Sequence, residues 1–166
     1  PASLAPTLTA FVRDGGGLFV SLGDNVTVER YNSALSDILP TQLRALEQVS
    51  HAQEKGKGIR IPDVEHPIFS PYKRGGLSGF SQLRFKSIFS VEPFDTNDRS
   101  KVLLELDNGM PLLIEHKVGQ GKVYLLTSTI DDEWGNLPLQ ATFLPLIQRS
   151  IAQLGGASGS GGQRIK

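Results

Sequence analysis

The 166-residue chain has no cysteine. Disulfides, thiolate metal sites and a cysteine nucleophile are therefore excluded, and the redox compartment stays open. Charge of one sign is also missing, because 17 Lys and Arg balance 17 Asp and Glu. No global field draws such a chain to nucleic acid or to an anionic membrane, so neither is an expected partner. No apolar run approaches the ~20 residues of a membrane span, and this segment is not expected to insert. The opening PASLAPTLTAFV lacks an initiator Met and a signal peptide, and reads as the start of a fragment cut from a longer protein.

What the chain does have is glycine and proline, 18 and 10 residues, which make it loop-rich. Its length suits one domain with a real core. Residues 1–154 read as that domain, and the Gly/Ser-rich 155–166 as a flexible linker or tail.

Leu8, Phe11 and Val12 fall at helical spacing, with Gly15 as the stop. Leu18, Phe19, Val20 and Leu22 form an apolar run between glycines, as in a strand covered on both faces. Tyr31, Leu35, Ile38 and Leu39 share one face of a second helix that Pro40 ends. From Arg44 to Gly58 the chain is mostly polar, with an exposed loop tip at EKGKG. IRI is a short strand, and EHPIFSPYKRGGLSGFSQLRF has no steady period, so it is read as an excursion from the sheet. FKSIFSVEP and KVLLELDNG read as strands. PLLIEHKVGQGKVYLLTS reads as a hairpin turning at Gly119-Gln120-Gly121. A final helix is capped near Thr142 and carries Phe143, Ile147, Ile151 and Leu154 on its apolar stripe, with Leu144 beside it. Helix, turn, buried strand, turn is the rhythm of α/β architecture. The expected fold is a mostly parallel sheet, flavodoxin-like, closed by a C-terminal hairpin and helix.

Familiar chemistry is scarce. Gly15-Gly16-Gly17 precedes its strand, whereas a dinucleotide-binding glycine motif follows one. Gly119-Gln120-Gly121-Lys122 lacks the rest of a P-loop and leads into a strand. His51, His66 and His116 share no ligand spacing, and no G-x-S-x-G elbow is present. Arg60, Lys73, Arg74 and Arg84 are too dispersed for a basic patch. No metal site and no cofactor is expected. Glu65 beside His66 offers an acid and a base with only adjacency behind them. Trp134 is read as the anchor of the final helix on the sheet.

Two acidic turns remain. Gly23-Asp24-Asn25 lies past the end of the first buried strand, and Thr129-Ile130-Asp131-Asp132-Glu133 past the hairpin's second arm. Ligands bind outside the carboxyl ends of strands in open α/β sheets. The candidate ligand-binding residues are therefore Gly23, Asp24, Asn25, Thr129, Asp131 and Asp132. Paired carboxylates there would hold a cation or act as acid and base. The alternative is that Asp24 and Asp131 only cap turns or helix starts.

FVRDGGGLFVSLGDN and GMPLLIEHKVGQGKVYLLTSTIDDEWGNLPLQATFLPL, with their spacing, resemble the class I glutamine amidotransferase-like domains of large bacterial membrane proteins. Such proteins often also carry an aerotolerance-type anchor and a von Willebrand factor A domain. The resemblance spans most of residues 8–154 and is weakest between Arg44 and Ser87. The V-x-x-GGGL and E-x-x-x-G-x-GKV pieces also resemble the trimerisation domain of β-galactosidases. The resemblance implies that active relatives place a Cys in the elbow after the strand and a His-Pro-Glu after a later one. This chain has Gly23 and Asp24 at the first place and Thr129 to Asp131 near the second, so neither nucleophile nor base is kept. It further implies that earlier β-α units are missing here, which exposes an apolar sheet edge and invites pairing with a second copy. The expected function is a non-catalytic interaction or scaffolding module of a membrane-anchored bacterial protein. The alternative is a small-ligand or cation-binding domain, hydrolase chemistry included, at the Asp24 and Asp131 turns.

Overall fold

Alternation along the two strands of the hairpin decides the layout. In β6 (Pro111–Val118) and β7 (Gly121–Leu126), Leu113, Tyr124 and Leu126 point to one face while Ile114, Val123 and Leu125 point to the other. Both faces are apolar, so both must be covered. The computed structural model describes residues 4–49, 59–73 and 75–156, and in these the two faces carry separate buried clusters. The expected loop tip at 54–58, His51, Arg74 and the tail 157–166 lie outside the described residues.

Five strands form the main sheet in the order β1-β7-β6-β5-β3, with β1 (Gly17–Ser21), β3 (Ile59–Arg60) and β5 (Ser100–Leu106) joining the hairpin. Among the described residues only β1 and β7 run parallel; β3, β5, β6 and β7 pair antiparallel in succession. This corrects the expected mostly parallel, flavodoxin-like sheet. Tight turns at Asp107-Asn108-Gly109 and Gly119-Gln120 can join antiparallel neighbours only, since a parallel pair needs a long crossover. Gly109 takes φ +84° in the first of these turns, a conformation that L side chains rarely adopt.

A second, two-stranded antiparallel sheet pairs β2 (Leu43–Gln48) with β4 (Ser87–Val91). β2 was not expected, because its LRALEQ sequence is polar and only Leu43 is buried. Its strand conformation comes from the β4 partner rather than from its own pattern. The small sheet sits across the end of β7: Phe89 N–H donates to the Thr127 carbonyl at 2.7 Å, and the Ser128 hydroxyl to the Ser87 carbonyl at 2.9 Å.

α1 (Ala5–Arg13) and α2 (Val28–Leu35) flank one face, where Val12, Ile38, Leu39, Leu43, Phe89 and Trp134 are buried. The second helix is shorter than its apolar spacing suggested; Ile38 and Leu39 are buried from the turn beyond it. α3 (Phe143–Gly155) covers the other face, together with two 3₁₀ segments, Pro67–Tyr72 and Ser78–Gln82. The aperiodic excursion thus lies off the sheet but supplies core: Ile68, Phe69 and Phe80 are almost wholly enclosed. α3 is rotated from its expected stripe. Leu146, Ser150 and Leu154 face inward, while Leu144 and Ile151 are each 61% exposed.

Candidate functional site

β1 and β7 are adjacent and parallel, so the turns that follow them emerge at the same rim. Gly23, Asp24, Asn25, Thr129 and Asp131 consequently line one cleft of about 410 Å³, joined by Glu133. Of the six sequence-derived candidates, five converge there. Asp132 does not line the cleft and is exposed. Glu133 was not singled out as a candidate, although it lies inside the quoted acidic run.

Asp24 has a structural duty. Its Oδ1 accepts the Trp134 indole N–H at 3.0 Å. Trp134 is buried and packs against Phe89, 5.7 Å between ring centroids, in the α1/α2-side cluster. It therefore pins the two rim turns to the small sheet and does not anchor α3, which packs on the opposite face. Asp131 Oδ1 accepts the Glu133 backbone N–H at 3.0 Å and so closes its own turn, as the capping alternative predicts. The Glu133 carboxyl is held above its ordinary range by a hydrogen bond with Asp24, then by the negative charges of Asp131 and Asp24. Thr129 is only 4% exposed, and its Oγ1 has no hydrogen-bond partner. Among the described residues, no group of three His, Cys, Asp or Glu is placed to share a metal ion.

The Glu65–His66 pair separates. Glu65 pairs with Lys73 at the surface, whereas His66 is buried against Glu115. The structure instead assembles a polar cluster inside the core that sequence reasoning missed. Glu115 Oε2 accepts from Lys122 Nζ at 2.9 Å, from the Tyr124 hydroxyl at 3.0 Å and from His66 Nε2 at 3.2 Å. His66 Nδ1 accepts the Ile68 N–H, so the imidazole proton sits on Nε2. Burial pushes the Glu115 carboxyl up, but the hydrogen bonds from His66 and Lys122 and the Lys122 charge outweigh it and hold it at about 2. Burial and the Glu115 charge push the Tyr124 hydroxyl up. The Glu115 and His66 side chains are 3% and 6% exposed, which leaves this cluster as an internal strut without substrate access. The available signal was a Glu directly after the apolar Leu112-Leu113-Ile114 run of β6.

Among the described residues there is one serine–histidine contact. Ser100 Oγ lies 2.8 Å from His116 Nδ1, across the β5–β6 ladder. Burial and then the Arg99 charge hold the His116 imidazole below its ordinary range. Among the described residues no carboxylate is bonded to that ring, so the base lacks the orienting third group of a triad.

No protein-family model and no curated protein matches the chain. Solved structures do. A cytoplasmic protein of Salmonella typhimurium is similar over 90% of this chain and 59% of its own, with TM-score 0.68 and 20% identity. A second cytoplasmic protein of Salmonella typhimurium LT2 gives TM-score 0.60 and 21% identity over 93% of this chain and 59% of its own. A cold-adapted β-galactosidase of Rahnella gives TM-score 0.56 and 12% identity over 90% of this chain but 20% of its own. At these identities the likeness is one of fold. This chain spans 59% of the length of the two Salmonella proteins.

Proposed function

We propose that the chain is a non-catalytic interaction module that works by contact with other protein chains, its own copies included. One observation carries this reading. Among the described residues β1 is the end strand of the main sheet, its Leu18 and Phe19 are half-buried, and α3, which packs on it, leaves Leu144 and Ile151 each 61% exposed. An unpaired strand edge and exposed apolar side chains favour association. Among the described residues no helix is long and apolar enough to cross a membrane. The sequence pieces that resemble the trimerisation domain of β-galactosidases agree with the interaction reading. The wider resemblance to amidotransferase-like domains adds to the proposal a membrane-anchored bacterial parent.

The absence of catalysis is argued from the rim turn. Where the resemblance puts a Cys elbow, Asp24 instead accepts the Trp134 indole N–H. A carboxylate engaged in this way supplies no thiolate, and a glutamine amide needs an activated nucleophile. Incubation with glutamine and with a covalent glutamine analogue should give neither ammonia nor an adduct by mass spectrometry. Turnover or a mass increase would overturn the reading.

A second reading has its own observation. The Asp24, Asp131 and Glu133 side chains line one cleft between the two rim turns. That reading is a small-ligand-binding site at the Asp24 and Asp131 turns, and a melting temperature raised by several degrees with a ligand and not in Asp131→Ala would support it.

A further inference from the structure

As a sheet edge, β1 is undefended. Among the described residues no strand pairs with it other than β7. Lys122 N–H donates to the Gly16 carbonyl and Leu22 N–H to the Leu126 carbonyl, each at 3.3 Å. Alternate residues of a parallel strand face the same neighbour, so Leu18 and Val20 bond β7 along with Gly16 and Leu22. The backbone N–H and C=O groups of Gly17, Phe19 and Ser21 therefore point away from β7, toward the open side. Edge strands are ordinarily blunted by charge, proline, a bulge or extreme shortness. The β1 sequence GLFVS has neither charge nor proline, and its register against β7 is unbroken. At the opposite end of the sheet, among the described residues, β3 has two residues, one of them Arg60 paired with Glu105, and Pro62 follows closely.

The helix over this edge has a matching feature. Leu144, Gln148, Ile151 and Ala152 of α3 recur at i, i+4, i+7 and i+8, share one outward stripe and are all exposed. A solvent-facing helix stripe ordinarily carries charge, and this one has none. α3 packs on β1 so closely that a Cβ added at Gly17 would overlap Leu154, which puts stripe and edge at the same end of the sheet. These features select a second copy of the chain as the partner. A two-fold axis sets each group against its own kind, so charges on a self-complementary surface repel one another. An uncharged strand under an uncharged helix stripe meets that requirement. The balance of 17 basic against 17 acidic residues adds no long-range repulsion.

We propose that two copies join edge to edge through antiparallel β1 strands, about a two-fold axis that runs normal to the sheet beside Phe19. Phe19 then faces Phe19 of the second copy, and Gly17 faces its Ser21, each facing pair exchanging both N–H···O=C bonds. This register alone pairs all three outward residues with one another. The two five-stranded sheets become one, and the same axis sets α3 beside α3 on one face, where Leu144 and Ile151 lose their exposure. The proposal rests on the reading of the domain as an interaction module and names its partner, direction and register.

The test begins with the unsubstituted chain. As protein concentration rises, hydrogen exchange read by NMR should slow at the Gly17, Phe19 and Ser21 amides, while Leu18, Val20 and Leu22, already bonded to β7, stay slow throughout. In a mixture of ¹³C-labelled and unlabelled copies, an isotope-filtered contact should join Leu18 Hα to Val20 Hα. Those protons face each other between copies in this register and lie too far apart within one extended strand. Ser21→Pro removes one outward N–H per copy and should weaken the dimer about tenfold or more, whereas Ser21→Ala keeps that group and should leave the affinity unchanged. A chain that stays monomeric, slowing spread evenly over odd and even amides, a missing Leu18–Val20 contact, or a Ser21→Pro dimer as tight as the unsubstituted one would overturn the proposal. Self-association without the alternating protection would leave the interaction reading standing, and glutamine turnover would overturn that reading whatever β1 does.

Discussion

Glu115 shows how a single residue can be read two ways. In sequence it ends the apolar run Leu112-Leu113-Ile114, and in the fold it collects three donors on one oxygen. Its carboxyl is held at about 2 against an ordinary 4.5, so its folded form is favoured when ionised. The sign follows: this contribution is present above about pH 4.5 and fades as the pH falls toward 2. Glu115→Gln should cost about 2–3 kcal/mol at neutral pH, because it leaves the half-buried Lys122 charge without its carboxylate. In urea melts the gap between the two proteins should narrow steadily from pH 5 to pH 2. A constant gap would show that packing, and not charge, is what the substitution removes. Asp24 is the complementary case at the rim, where a residue that reads as candidate chemistry bonds the Trp134 ring.

At the scale of elements, the β6–β7 turn is fitted to α1. Gln120 N–H donates to the Arg13 carbonyl at 3.0 Å, and an added Cβ at Gly121 would overlap the carbonyl oxygens of Val12 and Gly16. The Gly-Gln-Gly-Lys sequence therefore serves backbone approach and cradles no phosphate. Gly121→Ala should destabilise by about 3 kcal/mol, as overpacking against rigid backbone does. Gly75→Ala, where nothing lies within 4 Å of the added atom, should stay within about 0.5 kcal/mol. Equal losses in thermal melts would remove the close approach as the reason for Gly121. The helices follow a related lesson. Their existence was legible from 3.6-residue spacing, but the buried side of α3 was not. Phe143, Ile147, Ile151 and Leu154 and the alternative Leu146, Ser150 and Leu154 both satisfy the same period, and contact with β1 selects the second.

For the whole molecule, the open edge of β1 and the exposed Leu144 and Ile151 set the expected behaviour. Light scattering should show a mass that rises with concentration. The double substitution Leu144→Glu and Ile151→Glu should shift it toward monomer without changing the melting temperature by more than about 2 °C, since both side chains are solvent-facing. A mass that stays monomeric for the unsubstituted chain at high concentration would count against self-association. The overall charge balance, 17 against 17, does not oppose such contact through long-range repulsion.

Local pattern determined much of this protein. The apolar run at Leu18–Leu22, the Asp-Asn-Gly turn, the hairpin arms and the final helix are each encoded by neighbours a few residues apart, and each formed near where periodicity and turn chemistry put it. Strand direction, the pairing of polar β2 with β4, and the meeting of Asp24 with Glu133 were decided only by tertiary structure. Those features depend on contacts between segments far apart in the chain, 110 positions in the case of Asp24 and Trp134, and no local period carries that information.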